Sequence, residues 1–349
     1  MSSRWPLHHV SVVIPVHQGE ETLPSLVSEL APLTQEFSTP DGHLARVTEV
    51  LLVHDCGPDR SDSCIRRLSE ELPWVRPVWL SRNFGQHAAT LAGISSSGGD
   101  WVVTLDEDGQ HDPRDIGRML DVALAAQADL VYASPTNEPP HGWARNTASR
   151  SAKRLARALS SHGNPEHFHS YRLILGDVAR SVAAYAGSGV YLDVALSWVA
   201  RRVTTADVEV RTEGRASSGY RTRSLLSHYW RLILTAGVRP LRIVSLSGFV
   251  VAVTGVLLSM YIVVGRIMGN IPIAGWASVV VILLVTSGIT MLALGVVAEY
   301  VGIAVNMAMG RPLYLIVSDR HTGPLQGRSA VLGVAAPVEG APPSLRTVP

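Results

Sequence analysis

The apolar positions fall into two regimes. Up to about residue 215, short runs of β-branched and apolar residues alternate with stretches whose apolar positions recur at helical spacing. The runs 10–16, 50–53, 78–80, 101–105 and 130–133 read as strands. Residues 61–72, 86–95 and 113–126 read as helices between them, and Thr22 is placed to cap a helix through Leu30. The helix at 113–126 carries the fullest start signal: Asp112 as cap, Pro113 at the first helical position and Asp115 in the first turn. Unbroken apolar strands alternating with helices predict an α/β domain with a mostly parallel sheet covered on both faces. Ligands of such sheets bind beyond the carboxyl ends of the strands. Chemistry is therefore expected just after Val16, just after Val53 and just after Leu105.

The second regime begins beyond residue 240. Residues 243–264 and 276–298 contain no charged side chain. Each run is long enough to cross a hydrocarbon core of roughly 30 Å at about 1.5 Å per residue. A pair of buried core helices is the competing reading, but soluble helices of this length carry a polar face. The short link at 265–275 makes the pair a hairpin. Arg221, Arg223, Arg231, Arg239 and Arg242 precede it, Arg311 and Arg320 follow it, and the link holds only Arg266. That bias predicts both flanks on the cytoplasmic side. The expected organisation is a cytosolic catalytic domain at 1–215 and an interfacial segment at 216–242, rich in Arg, Leu, Tyr and Trp. Two transmembrane helices at 243–264 and 276–298 follow, then a cytosolic juxtamembrane segment at 299–317. The stretch 318–349, rich in Pro, Gly, Ala and Ser, is expected to be disordered.

Composition narrows the function. The formal net charge is +1 among 349 residues, so no strong field points to nucleic acid. Cys56 and Cys64 form no CxxC pair, and neither a disulfide framework nor a zinc site is suggested. The amino terminus, with one Arg and an apolar run broken by Pro15, lacks the pattern of a signal peptide. The catalytic domain and both termini are expected in the cytoplasm.

The strand end at 105 reads Asp106-Glu107-Asp108-Gly109-Gln110-His111-Asp112. Carboxylates two apart at a strand terminus can offer oxygens to one hard cation, and Mg²⁺ takes only one or two carboxylates from protein, leaving places for phosphates and water. Gln110 can add an amide oxygen. The bland reading is an acidic turn that caps the next helix, and Asp112 is expected to do only that. The strand end at 53 reads His54-Asp55-Cys56-Gly57-Pro58-Asp59, where Asp55 could accept from a nucleotide base or merely shape a turn. His162, His167 and His169 crowd one loop without an HxxxH spacing, so solvated loop histidines are expected there. His87 is expected to pack or hydrogen-bond near a donor rather than to bind metal.

Taken together, Leu80–His87 and Val103–Pro113 make the chain resemble family 2 glycosyltransferases of the GT-A fold. More narrowly it is similar to the polyprenyl-phosphate sugar transferases: dolichyl-phosphate mannose and glucose synthases and bacterial undecaprenyl-phosphate glycosyltransferases. Supporting matches are Trp143-Ala144-Arg145-Asn146 through Ser149, Ser170-Tyr171-Arg172-Leu173, Pro240-Leu241-Arg242, Glu299-Tyr300 and Arg311-Pro312-Leu313-Tyr314. The resemblance implies that Asp106, Asp108 and Gln110 hold Mg²⁺ or Mn²⁺ and, through it, the diphosphate of a UDP- or GDP-linked sugar. Pro15, Glu20 and Asp55 would lie along the base and ribose. Arg145 and Ser149 would receive the acceptor phosphate, and the stretch 211–220, longer than the usual spacing, resembles an acceptor loop in which either Arg211 or Arg215, with Ser218 and Tyr220, would bind the acceptor. It also implies a multi-pass protein of the cell membrane in contact with lipid, with room for a homo-oligomer.

Two departures stand out. Gly19 replaces an acidic residue frequent after the first strand, and Ser170 stands where many relatives carry an Asp proposed as a base. Two other readings compete: a processive polysaccharide synthase, which would carry a Gln-x-x-Arg-Trp motif absent here, and a catalytically silent membrane scaffold, against which the Asp106/Asp108/Gln110 set argues.

Overall fold

The computed structural model describes residues 6–137, 168–187, 191–211, 239–268, 275–309 and 312–319. Strand β1 (His8–Val16) is followed by α1 (Leu23–Leu30), a short β2 (Phe37–Ser38), β3 (Leu44–His54), α2 (Ser61–Glu71), β4 (Val75–Leu80), α3 (Gln86–Ser95), β5 (Trp101–Thr104), α4 (Asp115–Ala126) and β6 (Leu130–Pro135). Then come β7 (Arg172–Leu175), α5 (Gly176–Tyr185), α6 (Leu192–Val199) and β8 (Val203–Val208). Two long helices, α7 (Arg239–Ile267) and α8 (Trp276–Ala308), precede β9 (Ile316–Val317). The strand order is β8-β6-β7-β5-β1-β3-β4-β9, with β2 beside β3. The pairs β5–β1, β1–β3, β3–β4 and β6–β8 are parallel, whereas β7, β9 and β2 run antiparallel to their neighbours. The α/β, mostly parallel expectation holds.

Alternation along β1 explains why both faces are covered. Val10, Val12, Ile14 and Val16 enter one core with α1, α2 and α4. Val13 enters the other, with Leu51, Val53 and the α3 residues Ala89, Leu91, Ala92 and Ile94. Helix α3 is built of small residues because it lies close on the sheet: a Cβ at Gly93 would stand 2.3 Å from Val13 Cγ1. The β1–β3–β4 run goes one way from β1 and β5 lies on its other side. The carboxyl ends of β1 and β5 therefore flank the crevice at the switch in strand order.

Several local expectations shift. Strand β3 begins at Leu44 because its first half alternates, with Ala45 and Val47 buried and Arg46 and Thr48 less so; only its second half is a continuous apolar run. Thr22 is the residue before α1, but its side chain makes no capping bond, and its Oγ1 is buried with no partner among the described residues. Pro24 occupies the second helical position and has no N–H to offer. Helix α4 starts at Asp115 rather than Pro113. Asp112 instead closes the turn before it, accepting from the Arg114 N–H at 2.9 Å.

The long helices also differ from expectation. Among the described residues one helix is long and apolar enough to cross a membrane, through Val285–Val305 of α8. Only 6% of the most apolar part of that stretch is buried by protein, which removes the buried-core reading for α8. In α7 the apolar stretch Val244–Leu257 is shorter, diluted by Ser245, Ser247, Gly248 and Thr254. A pair of spans is thus not established by length and composition. After α8, Ile316 and Val317 join the sheet beside β4.

Candidate active site

Four loops meet at the carboxyl edge of the sheet: those after β1, β3, β4 and β5. The first two touch backbone to backbone. A Cβ at Gly57 would sit 1.4 Å from the His17 carbonyl oxygen, so only glycine fits there. Side-chain bonds complete the seam. The Gly19 N–H donates to Ser61 Oγ at 2.8 Å, the Glu20 N–H to Asp59 Oδ2 at 3.1 Å, and the Arg60 N–H to Glu20 Oε2 at 3.1 Å.

Asp55 is 3% exposed and takes the Phe84 and Gly85 N–H groups on its two oxygens, at 2.7 and 2.8 Å. Burial raises its pKa, against the pull of those two donors. Its carboxylate therefore shapes the β4–α3 loop, in which Gly85 sits at φ +91°. Pro15 is buried in β1 opposite Val53, and Glu20 is exposed at the mouth of the loop.

The loop after β5 carries the acidic turn. Asp106 has both oxygens occupied: Gln86 Nε2 donates to Oδ1 at 2.6 Å and Ser170 Oγ to Oδ2 at 2.5 Å. Asp108 accepts the Gln110 N–H at 3.1 Å. Burial, and then the charge of Asp106, raises the Asp108 pKa. The residue between them turns the other way. Glu107 accepts the His17 N–H at 2.9 Å and the Gln18 N–H at 3.0 Å, tying the β1 and β5 loops together. Burial raises its pKa as well. Sequence reasoning assigned Glu107 no role, although the strand-like alternation of Asp106, Glu107 and Asp108 already put it on the opposite side.

His111 is 5% exposed and stacks on Tyr171, and burial lowers its pKa to about 4. It is neutral near pH 7, with Nδ1 accepting the Asp106 N–H at 3.2 Å. Below the turn lies a buried polar layer. Arg172 pairs with Asp193, which accepts from Tyr132 Oη at 3.0 Å, and Thr104 Oγ1 donates to the Ser170 carbonyl at 2.5 Å. A small cavity of about 100 Å³ beside Asp106 is lined by Gln86, His87, Thr90, Phe168, His169 and Ser170, among others. His87 packs edge-on against Tyr191.

Arg211 lies beside the acidic turn. Its N–H donates to the Gln110 carbonyl at 3.0 Å, and its guanidinium pairs with Glu29 at 2.7 Å and Asp112 at 2.8 Å. Asp112 thus pairs with Arg211 besides closing the turn, and burial, which raises its pKa, is outweighed by the Arg114 N–H and the Arg211 guanidinium, which hold it below the usual value. Arg145, Ser149, Arg215, Ser218 and Tyr220, with His162 and His167, lie outside the described residues.

Asp106, Asp108 and Gln110 suit a hard cation. Two carboxylates on one turn, one of them pushed up by burial and by its neighbour's charge, gain from a divalent ion. Among the described residues no group of three or more His, Cys, Asp or Glu side chains converges.

The sequence profile described as glycosyl transferase family 2 matches residues 11–185, half of the chain and every strand that bears the four loops. The chain belongs to glycosyl transferase family 2. This glycosyltransferase is 29% identical to the undecaprenyl-phosphate 4-deoxy-4-formamido-L-arabinose transferase of Proteus mirabilis, over 90% of this chain and 95% of that one. The protein of the same description from Pseudomonas paraeruginosa is 30% identical, over 89% and 90%. Among solved structures, the transferase aligns with glucosyl-3-phosphoglycerate synthase from Mycobacterium tuberculosis in complex with Mn²⁺, UDP-glucose and phosphoglyceric acid. That alignment has a TM-score of 0.46 and 18% identity, and covers 66% of this chain and 79% of that one. At that overlap no residue role is carried across.

Proposed function

We propose that this glycosyltransferase moves a sugar from a UDP- or GDP-linked donor to a polyprenyl phosphate at a membrane surface, by a single inverting displacement. Supporting this reading, the four strand-end loops meet around Asp106 and Asp108. The chain is also similar along about nine-tenths of its length to undecaprenyl-phosphate sugar transferases.

The chemistry follows from charge. A phosphate monoester has a second pKa of about 6, so the acceptor is already largely dianionic and needs placement more than deprotonation. The costly feature is negative charge gathering on the departing nucleotide diphosphate. Asp106, Asp108 and Gln110 would hold a divalent ion, which would supply Lewis-acid neutralisation there. Gln86 and Ser170 fix the Asp106 carboxylate, and Glu107 keeps the β1 loop against it. In this scheme Pro15, Glu20 and Asp55 border the nucleotide, Asp55 by shaping the Phe84–Gly85 loop. Arg145, Ser149, Arg215, Ser218 and Tyr220 take the acceptor phosphate, and Arg211 anchors the base of that loop. Helices α7 and α8 form a hairpin in the cell membrane, with the catalytic domain and both termini on the cytoplasmic side.

The test is purification in detergent and incubation with Mg²⁺ or Mn²⁺, a panel of nucleotide-sugars and short polyprenyl phosphates, followed by mass spectrometry of the lipid. A glycosylated prenyl phosphate is expected. Sugar found only on water-soluble products would refute the proposal.

A further inference from the structure

The last described segment, residues 312–319, makes contacts that none of the transferase roles above require. Strand β9 pairs antiparallel with β4, Ile316 opposite Leu80 and Val317 opposite Trp79. The chain arriving from α8 therefore enters the sheet at the carboxyl end of β4, the edge that bears the acidic turn. The Ser81 N–H donates to the Leu315 carbonyl at 3.0 Å, so the incoming strand holds the first residue of the β4–α3 loop. Leu313 and Tyr314 pack on the same core cluster as Phe84. Asp319 closes the far end: its carboxylate accepts from Arg66 Nε at 2.7 Å. That guanidinium also pairs with Asp62 and lies 5.1 Å over the Trp79 ring.

The reach of the link is short. From Ala308, the end of α8, to Leu315 the chain spans at most about 25 Å even when fully extended. The headgroup layer on each side of a bilayer is roughly 5–8 Å deep. An apolar helix that inserts in lipid thus delivers its following residues to the sheet within a short distance of the surface, and does so at one edge only.

We propose that residues 312–319 are an orienting strap, which turns the carboxyl edge of the sheet toward the lipid surface entered by α8 and braces the Ser81–Gln86 loop there. The inference rests on the membrane part of the function above, but not on the identity of donor or acceptor.

The experiment uses the full chain in phosphatidylethanolamine–phosphatidylglycerol vesicles containing a lipid with a nitroxide headgroup. A coumarin-bearing amino acid replaces Pro58, exposed at the carboxyl edge, or Ser95, exposed at the far end of α3. Several-fold stronger quenching is expected at 58 than at 95. A flexible Gly-Ser insertion of about ten residues after Met309, long enough to add some 30 Å of slack, should bring the two positions close to equal. Among the described residues it leaves the Met309 N–H bond to the Val305 carbonyl and the β9 pairing in place, and an unchanged denaturation midpoint of the inserted chain separates loss of the strap from misfolding. Asp319→Ala should narrow the difference in the same direction by a smaller factor. Equal quenching in the unaltered chain, stronger quenching at 95, or a difference untouched by the insertion would each overturn the strap. Failure of the transferase reading would show instead in the lipid product assay, with the quenching pattern intact.

Discussion

Asp106 holds both of its oxygens in hydrogen bonds from Gln86 and Ser170, while Asp108 carries the raised pKa. That division sets two predictions. Asp108→Ala should lower turnover by at least about a hundredfold, since it removes several kcal/mol of charge stabilisation in the transition state. Ser170→Ala removes one hydrogen bond, worth about 1 kcal/mol, and should leave turnover within about tenfold of the parent. Steady-state kinetics on both variants decides; an inactive but folded Ser170→Ala enzyme would make Ser170 part of the chemistry. His111 gives a pH prediction. Its folded pKa is about 4 against about 6.5 in the unfolded chain. The unfolded state therefore binds the extra proton first as pH falls. Stability present above pH 6.5 should be lost progressively down to about pH 4, by up to about 3 kcal/mol. Denaturant melts across that range should show the loss, and His111→Gln should flatten it.

At the scale of elements, two glycines carry the close approaches that build the site. Gly93 lets α3 lie on Val13 and Val53, and Gly57 lets the β3 loop touch the β1 loop. Gly93→Ala should cost about 1–3 kcal/mol through overpacking, measured as a shift in the denaturation midpoint. Gly57→Ala meets backbone rather than a side chain, so the two loops must separate, and nucleotide binding measured by calorimetry should weaken with it. Glycine's role at 57 was not readable from its turn-like surroundings, because the contact partner is forty residues away in the chain. The Asp106–Asp108 turn was readable, because a strand followed by alternating carboxylates is a local pattern.

At the scale of the whole molecule, α7 and α8 leave Leu246, Phe249, Met260, Leu283 and Met291 exposed. Apolar side chains on this scale, uncovered by protein, mark a membrane or protein contact, and the proposed function assigns them to lipid. The chain should remain in the membrane pellet after an alkaline carbonate wash and leave it only in detergent. Release by carbonate would remove the bilayer-spanning hairpin from the proposal.

What the sequence determined was local. Apolar periodicity sets the α/β class and most strand positions. Charge-free length marks 243–264 and 276–298 as apolar, and the acidic turn stands where a strand ends. Pairing over long separations was decided only in three dimensions. The antiparallel β7 and β9, the grip of Glu107 on the β1 loop, the Asp55 bonds to Phe84 and Gly85, and the Arg66–Asp319 pair each join segments that no local pattern relates. The physical reason is that periodicity reports which face of an element is buried, whereas the choice of partner depends on how all the elements close around one sheet.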